Sequence, residues 1–228
     1  MRQMLMIFFA LVLAREGMAQ EGLTNLGLFP ELQFRVKSGE KRQFTGKIES
    51  QHGLASIPEG RDAAWRYRHV LTDFQGFVGT SINPFISLSA GYQFRLDGGN
   101  KDSHRTIQQI SFLQRKPTFR LGHRIRTDQT FAPEEAIEYR LRYQFSAEIA
   151  LEGRTVDPGE HYLVLADEVI YSYQGQQSGL ENRFVAALGH LSKSRQKFQV
   201  GIDHRTDRFF DGAIRQRIWC KFGWYLTL

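Results

Sequence analysis

The stretch from Glu138 to Leu151 alternates between two kinds of residue. One phase is apolar and consists of Tyr139, Leu141, Tyr143, Phe145, Ala147, Ile149 and Leu151. The other phase is mostly charged or polar and consists of Glu138, Arg140, Arg142, Gln144, Ser146, Glu148 and Ala150. Successive side chains of a β-strand point to opposite faces, so a period of two predicts a strand with one apolar face and one charged face.

The same alternation recurs along most of the chain. Apolar residues occupy most alternate positions within residues 26–36, 44–48, 86–96, 119–125, 184–188, 198–202 and 218–228. No segment has an amphipathic helical stripe, and no solenoid-type repeat or linker-like composition interrupts the pattern. The sequence therefore predicts an all-β protein with a single folded domain.

The length of the alternating runs favours a membrane barrel over an exported β-sandwich. The runs span roughly nine to sixteen residues, which suits a tilted crossing of the hydrocarbon layer, whereas sandwich strands are usually shorter. Aromatic residues such as Trp65, Tyr67, Tyr139 and Trp224 lie near strand ends, as in interfacial girdles. Backbone groups in hydrocarbon must pair within the sheet, so we expect a closed antiparallel transmembrane β-barrel.

The pattern predicts about twelve strands, within a range of 10–12. Eleven strands are clear, and because single-chain bacterial barrels usually have an even number, we expect a further strand at 22–28 or a division of 65–81. Short turns are expected near Lys37, Ser81, Lys116, Leu151 and Leu191. Longer connections are expected at 51–62, 97–103, 128–135, 174–180 and 206–212. Short turns are usually periplasmic, which would end the last strand, 213–228, in the periplasm.

Residues 1–19 resemble a cleaved signal peptide. Arg2 precedes an apolar run from Met4 to Ala14, and Gly17-Met18-Ala19 offers small residues at the cleavage positions. A short membrane anchor is the alternative. We expect residues 20–228 to form the barrel in the bacterial outer membrane, in contact with its lipid, after insertion by the barrel assembly machinery.

Composition narrows the function further. Cys220 is the single cysteine, so no internal disulfide can form, and no cluster has metal-ligand spacing. No cofactor-binding motif is present. The net charge of +6 comes from residues that alternate with apolar ones, so we expect the charges to face an interior or a protein partner and expect no nucleic acid partner.

Strand parity predicts a cluster of charges that face the lumen. The cluster consists of Arg124, Arg126, Asp128, Glu138, Arg140, Arg142, Glu168, Glu181 and Arg183. In one interpretation these charges form a structural ladder of ion pairs that fills a narrow lumen. In another, excess arginine lines a path for a small anionic solute. Hairpin folding is expected to place Arg126 near Glu138.

An outer-membrane lipid-modifying enzyme, of the acyl hydrolase type, is the alternative to a structural or porin-like barrel. Such chemistry would need a Ser–His pair, and His123 is a candidate base on the lipid face. Ser146 points inward, however, and no serine clearly shares the face of His123, so we assign no catalytic residue. His69 and His190 have the same parity as His123, and Cys220 is expected to face lipid as a small apolar residue. A barrel subunit of a larger envelope complex is a further alternative, and the oligomeric state is left open.

Five short motifs, in order, resemble one family. They are Gln108-Gln109, the stretch His123 to Gln129, Arg140-Leu141-Arg142-Tyr143, Asp167-Glu168 and Glu181-Asn182-Arg183. They resemble the domain-of-unknown-function 2490 family, predicted outer-membrane barrels common in Bacteroidota-type bacteria. The sequence departs from the family pattern at Asp128, Thr130 and Asp167. The resemblance implies a barrel fold and an outer-membrane location, and it implies no established activity.

Overall fold

The computed structural model describes residues 23–58, 60–210 and 214–228. Eleven strands make up the structure there: β1 (Leu23–Ser38), β2 (Arg42–Pro58), β3 (Ala64–Asn83), β4 (Ile86–Asp97), β5 (Ser103–Arg115), β6 (Phe119–Phe131), β7 (Glu138–Ala150), β8 (His161–Gln174), β9 (Gln177–Leu191), β10 (Lys197–Asp207) and β11 (Arg215–Thr227). The predicted signal peptide lies outside these residues. Over the described ranges, no helix is sufficiently long and apolar to cross a membrane.

The strands close into one barrel in the order in which they follow along the chain. Each consecutive pair is antiparallel, whereas β1 and β11 close the barrel in parallel, from Leu23 opposite Arg215 to Arg35 opposite Thr227. An all-β closed barrel is therefore confirmed. The described residues form eleven strands, which is within the predicted range of 10–12 and one fewer than the preferred twelve. Residues 23–28 belong to β1, and 65–81 lie within the single strand β3.

The barrel has two rims, and connection length does not distinguish them. The Leu228 rim holds the connections 39–41, 84–85, 116–118, 151–160 and 192–196. The Leu23 rim holds the described connecting residues 60–63, 98–102, 132–137, 175–176 and 208–210. The short turn expected near Leu151 is the ten-residue segment 151–160, and the long loop expected at 174–180 is a two-residue turn. Gly175 and Gln176 there have φ values of 53° and 72°, the left-handed pair that a type I′ hairpin requires.

Alternation separates an apolar outer wall from a polar interior. On β7, the outward residues Tyr139, Leu141 and Tyr143 are about half exposed, whereas inward Arg142 is 5% exposed. Exposed aromatic side chains near the Leu23 rim are Trp65, Tyr67, Tyr139 and Tyr173. Those near the Leu228 rim are Phe34, Phe44, Phe85, Phe198 and Trp224. The outer wall thus has a band of aromatic residues toward each rim.

Candidate functional sites in the lumen and on the outer wall

The interior of the barrel holds a network of charged side chains to which all eleven strands contribute. We call it the ionic belt, and it consists of Glu31, Lys47, Glu49, Asp73, Arg95, Arg105, Asp128, Arg142, Glu168, Arg183, Asp203, Arg205 and Lys221. These six carboxylates and seven cations come close to neutralising one another. Charged groups are rarely this buried unless they are paired, so the belt depends on its internal contacts.

Glu168 connects three strands of the belt. Its carboxylate lies 2.9 Å from Arg124 and 3.8 Å from both Arg142 and Arg183, and its side chain is 6% exposed. The register places Glu168 opposite Gln144 on β7 and Arg183 on β9, so these inward side chains converge. One carboxylate therefore ties β6, β7 and β9 to β8.

Asp128 and Arg142 form the most buried ion pair of the belt's β6–β9 side. The carboxylate oxygen lies 2.5 Å from Arg142 Nε, and the two side chains are 0% and 6% exposed. Asp128 is opposite Arg140 in the β6–β7 register, so Arg142 reaches it from the next inward position along β7. Removal of Arg142 would leave Asp128 buried without an ion-pair partner, and removal of Asp128 would leave Arg142 only the more distant Glu168, at 3.8 Å.

The opposite wall of the barrel carries ion pairs that parity analysis of β6–β9 did not identify. Glu31 lies 3.3 Å from Lys47 and 2.9 Å from Lys221. Arg95 donates two hydrogen bonds of 2.7 Å to Asp73. Charged and apolar residues also alternate on β2, β4 and β11, so parity predicts inward charges on these strands as it does on β6–β9. Which of these charges pair with one another depends on the strand register, including the register of the β1–β11 contact that closes the barrel.

Eight of the nine predicted lumen residues form ion pairs. Toward the Leu23 rim, Glu138 lies 2.7 Å from Arg140, and Glu181 lies 2.8 Å from Arg183. Arg126 differs: it donates to Gln109 Oε1 at 2.8 Å and 3.2 Å, and no carboxylate of the described residues lies within 4.0 Å of it. The expectation that Arg126 lies near Glu138 is wrong, because the register sets Arg126 opposite Arg142 and Thr130 opposite Glu138.

Cavities lie on both sides of the ionic belt. One of about 500 Å³ opens toward the Leu228 rim and is lined by neutral polar side chains such as Gln43 and Ser111 and by five cations, which are Arg35, Lys47, Arg115, Arg124 and Arg126. A second, of about 280 Å³, lies within the belt, and a third of similar volume lies beneath the Leu23 rim. The interior therefore has polar space at each rim with charged side chains between.

A chain of hydrogen-bonded side chains interrupts the apolar outer wall on β2 and β3. We call it the outer-wall polar chain, and it consists of Ser50, His52, Tyr67, His69 and Thr72. Ser50 Oγ lies 3.0 Å from His52 Nε2, and His52 Nδ1 lies 3.0 Å from Tyr67 Oη. Ser50 Oγ also lies 2.8 Å from Thr72 Oγ1, which lies 2.9 Å from His69 Nε2.

Sequence reasoning missed the outer-wall polar chain because the ladder is irregular there. Residues 51–62 were expected to form a loop, whereas β2 continues to Pro58. Register shifts between Gln51 and His52, and between Gly53 and Ala55, break the strict alternation. The first shift sets His52 opposite His69 instead of Val70. The available signal was the spacing Ser50-x-His52, which places both side chains on one face if the strand continues past residue 50.

The other histidines considered from the sequence do not reach a serine. His123 lies on the outer wall, and its Nδ1 lies 2.8 Å from Tyr143 Oη, with Phe145 beside the ring. The His190 ring packs against that of His161 at an interplanar angle of 43°, with ring centroids 4.8 Å apart. His161 hydrogen-bonds to Glu152 in the 151–160 connection, which lowers the pKa of that carboxyl. Cys220 is exposed on the outer wall.

Comparisons with known proteins place the chain in a family without giving it an activity. A family model described as "Protein of unknown function (DUF2490)" matches residues 29–215. No curated protein matches the chain. Among solved structures, LpxR from Salmonella typhimurium is similar, with a TM-score of 0.49 and 8% sequence identity over 81% of this chain and 83% of that chain.

Proposed function

The chain belongs to the DUF2490 family, and we propose that it is an outer-membrane β-barrel whose lumen is closed to solutes by the ionic belt. In this proposal the barrel is a membrane-embedded scaffold and not a diffusion pore. The single observation that carries the proposal is the network of inward charges, which every strand contributes to and which is buried on seven of the eleven strands.

The burial of the belt supports a closed lumen. A barrel of eight strands has an interior filled by side chains and one of sixteen encloses an aqueous channel, so a count of eleven does not decide the matter. Arg105, Asp128, Glu168, Asp203 and Arg205 are each at most 5% exposed. Charges that lined a wide, continuous water-filled path would be more exposed than these five, and the cavity within the belt, about 280 Å³, is smaller than the cavity of about 500 Å³ toward the Leu228 rim.

The outer wall supports the membrane location. On β10, Val200 and Ile202 are 54% and 55% exposed, and two bands of aromatic residues border such apolar positions. A soluble protein would bury side chains of this kind, whereas an outer-membrane barrel presents them to lipid between aromatic girdles.

Electrical measurement tests the closed lumen. The purified chain is refolded into planar bilayers, and we expect no steady single-channel conductance in about 1 M KCl. At this salt concentration interactions between exposed charges are screened. A steady ohmic current through the parent protein would contradict the proposal. Anion selectivity of that current would support the solute channel, which the basic cavity around Arg35 and Arg126 favours.

Electrical silence is informative only if the barrel is inserted, and Cys220 provides that control. Cys220 is the single cysteine of the chain and is exposed on the outer wall. In vesicles we expect a water-soluble maleimide to leave Cys220 unmodified, because lipid covers it, while the same reagent modifies it after unfolding in urea. Equal labelling in both states would contradict the membrane location.

A further inference from the structure

The hydrogen bonds of the outer-wall polar chain can be oriented as they are between a nucleophilic serine and its general base. If His52 carries its proton on Nδ1 and donates it to Tyr67 Oη, Nε2 is free to accept from the Ser50 hydroxyl at 3.0 Å. The Leu71 carbonyl oxygen, at 3.3 Å, is a second and more distant acceptor for the same hydroxyl. Thr72 can then donate to Ser50 Oγ at 2.8 Å. A nucleophilic serine within hydrogen-bond reach of a base, with a third group that orients the base, is the part of an acyl-transfer site that activates the nucleophile.

The backbone around this site is irregular in a way that positions the side chains. Two register shifts between β2 and β3 flank His52, and the β1–β2 register also shifts between Leu26 and Gly27. Pro30, which has no N–H to donate, lies in the same part of β1, where the β1–β2 register has no pair. Bulges concentrate next to active sites because they re-aim a side chain, and here one brings His52 beside His69.

The surroundings indicate the chemical class of the substrate. Outward Leu28, Ile48 and Phe74 adjoin the site and are 36%, 36% and 41% exposed. Trp65 and Tyr67, toward the Leu23 rim, are 73% and 66% exposed. The site thus lies where apolar wall gives way to an aromatic band, the depth at which the acyl ester bonds of a membrane lipid meet the protein.

We propose that Ser50 and His52 hydrolyse carboxylic acyl esters of membrane lipids at the outer wall of the barrel. This inference rests on the proposed membrane location and is independent of the closed lumen. It assigns a second role to the barrel, as the support for a lipid-facing catalytic site.

The reaction takes place in two balanced steps. Ser50 Oγ attacks the ester carbonyl carbon while His52 Nε2 takes the hydroxyl proton, and the bond to the lipid alkoxide breaks as His52 returns the proton to it. The products of this step are a lipid alcohol and an acyl ester of Ser50. Water then attacks that ester, His52 transfers its proton to Ser50 Oγ, and a free fatty acid leaves.

Tyr67 is a positioning residue, because it acts through His52 and touches no reacting atom. Its phenol oxygen accepts the Nδ1 proton and so fixes the tautomer in which Nε2 faces Ser50. Tyr67→Phe should lower kcat, by less than His52→Gln does, and leave KM unchanged. A merely structural loss would reduce the fraction of folded barrel and not kcat per folded molecule.

The test uses the purified full chain in detergent micelles with two lipids offered separately. One is a mixture of phosphatidylethanolamine and phosphatidylglycerol, and the other is lipopolysaccharide; released fatty acid is measured by mass spectrometry. Release from the first identifies glycerophospholipid as the source of the ester, and release from the second identifies lipopolysaccharide. Ser50→Ala should reduce release at least about 10³-fold, and His52→Gln about 10²- to 10⁴-fold.

His123→Gln is the matched control. His123 also lies on the outer wall and hydrogen-bonds a tyrosine, at 2.8 Å, but it reaches no serine in the described structure, so its replacement should leave release unchanged. Folding of every variant is checked by heat-modifiable electrophoretic mobility. A fluorophosphonate probe followed by peptide mapping provides a second readout, and it should label Ser50 in the parent.

Three outcomes would overturn the proposal. One is full fatty acid release by folded Ser50→Ala. Another is equal loss in His52→Gln and His123→Gln. The third is a folded parent that releases fatty acid from neither lipid and is not labelled at Ser50. An inserted barrel that conducts no current and hydrolyses no ester would contradict the ester hydrolysis and support the closed lumen. A barrel that conducts current and hydrolyses esters would contradict the closed lumen and support the ester hydrolysis.

Discussion

The lumen and the outer wall of this barrel differ in the number, charge and burial of their polar side chains. Inside, charges are numerous and buried, and Glu168 contacts three arginines. Outside, most side chains are apolar, and Ser50 and His52 belong to a small island of neutral hydrogen-bonding groups. A buried polar group is costly only when it lacks a partner, so the difference between the two regions lies in how partners are supplied.

In the lumen, the partners are charges from neighbouring strands, fixed by register and difficult to rearrange. On the outer wall, the hydrogen bonds form a line in which each hydroxyl can reverse its direction. A charge network therefore rigidifies the interior, while the hydrogen bonds of the line Thr72–Ser50–His52 can run in either direction. This difference fits the interior to stability and the outer wall to the ester hydrolysis proposed above.

The largest expected effect tests the value of lumen pairing. Asp128→Asn removes the nearer carboxylate of Arg142 from a pair whose side chains are 0% and 6% exposed. Arg142 keeps only Glu168, at 3.8 Å, which two other arginines share, so unfolding free energy in urea should fall by about 3–5 kcal/mol. Glu134→Gln is the control, because its pair with Lys101 at 2.5 Å is largely exposed and should change stability by less than about 1 kcal/mol. Equal effects of the two substitutions would mean that water screens the belt.

A charge placed on the outer wall should have the next largest effect. Val200 is 54% exposed between Leu188 and Phe222, and Val200→Arg should destabilise the inserted barrel by about 2–4 kcal/mol if lipid contacts it near mid-membrane. Ile137→Arg, in the 132–137 connection, should cost no more than about 1 kcal/mol. Unfolding from lipid vesicles, followed by tryptophan fluorescence, measures both. A Val200→Arg barrel as stable as the parent would argue against lipid contact at that position.

The smallest expected effect lies where the two regions meet, at Gly27. A Cβ at Gly27 would lie 2.3 Å from the His52 carbonyl oxygen and 2.4 Å from the ring of Trp219, which is 2% exposed in the lumen. Gly27→Ala should therefore destabilise the barrel by about 1–3 kcal/mol and reduce ester hydrolysis through the displaced His52. A Cβ at Gly76 would meet no atom within 4 Å, so Gly76→Ala should leave both properties close to the parent. Hydrolysis unaffected by Gly27→Ala would separate the bulge from the catalytic site.

The alternation of apolar and polar residues was sufficient to predict most of the strands and the inward-facing charges of β6–β9. Because a strand alternates without exception where it is regular, Arg124, Arg142 and Glu168 could be placed on one face from sequence alone. Their contacts could not, because the Glu168–Arg183 pair depends on the β8–β9 register and hence on the turn at 175–176, whose length was overestimated. The outer-wall polar chain was hidden for the converse reason, since a bulge breaks the parity on which the prediction rested.

The parallel contact between β1 and β11 has a consequence for the sides of the barrel at which the chain enters β1 and leaves β11. With an odd number of strands, the path from Leu23 to Leu228 makes one net crossing of the barrel's height. In a membrane the described barrel would thus have the overall topology of a single-pass protein, and peptides fused before β1 and after β11 would lie in different compartments. Adding or deleting a whole hairpin would preserve that asymmetry, whereas a single added strand would abolish it.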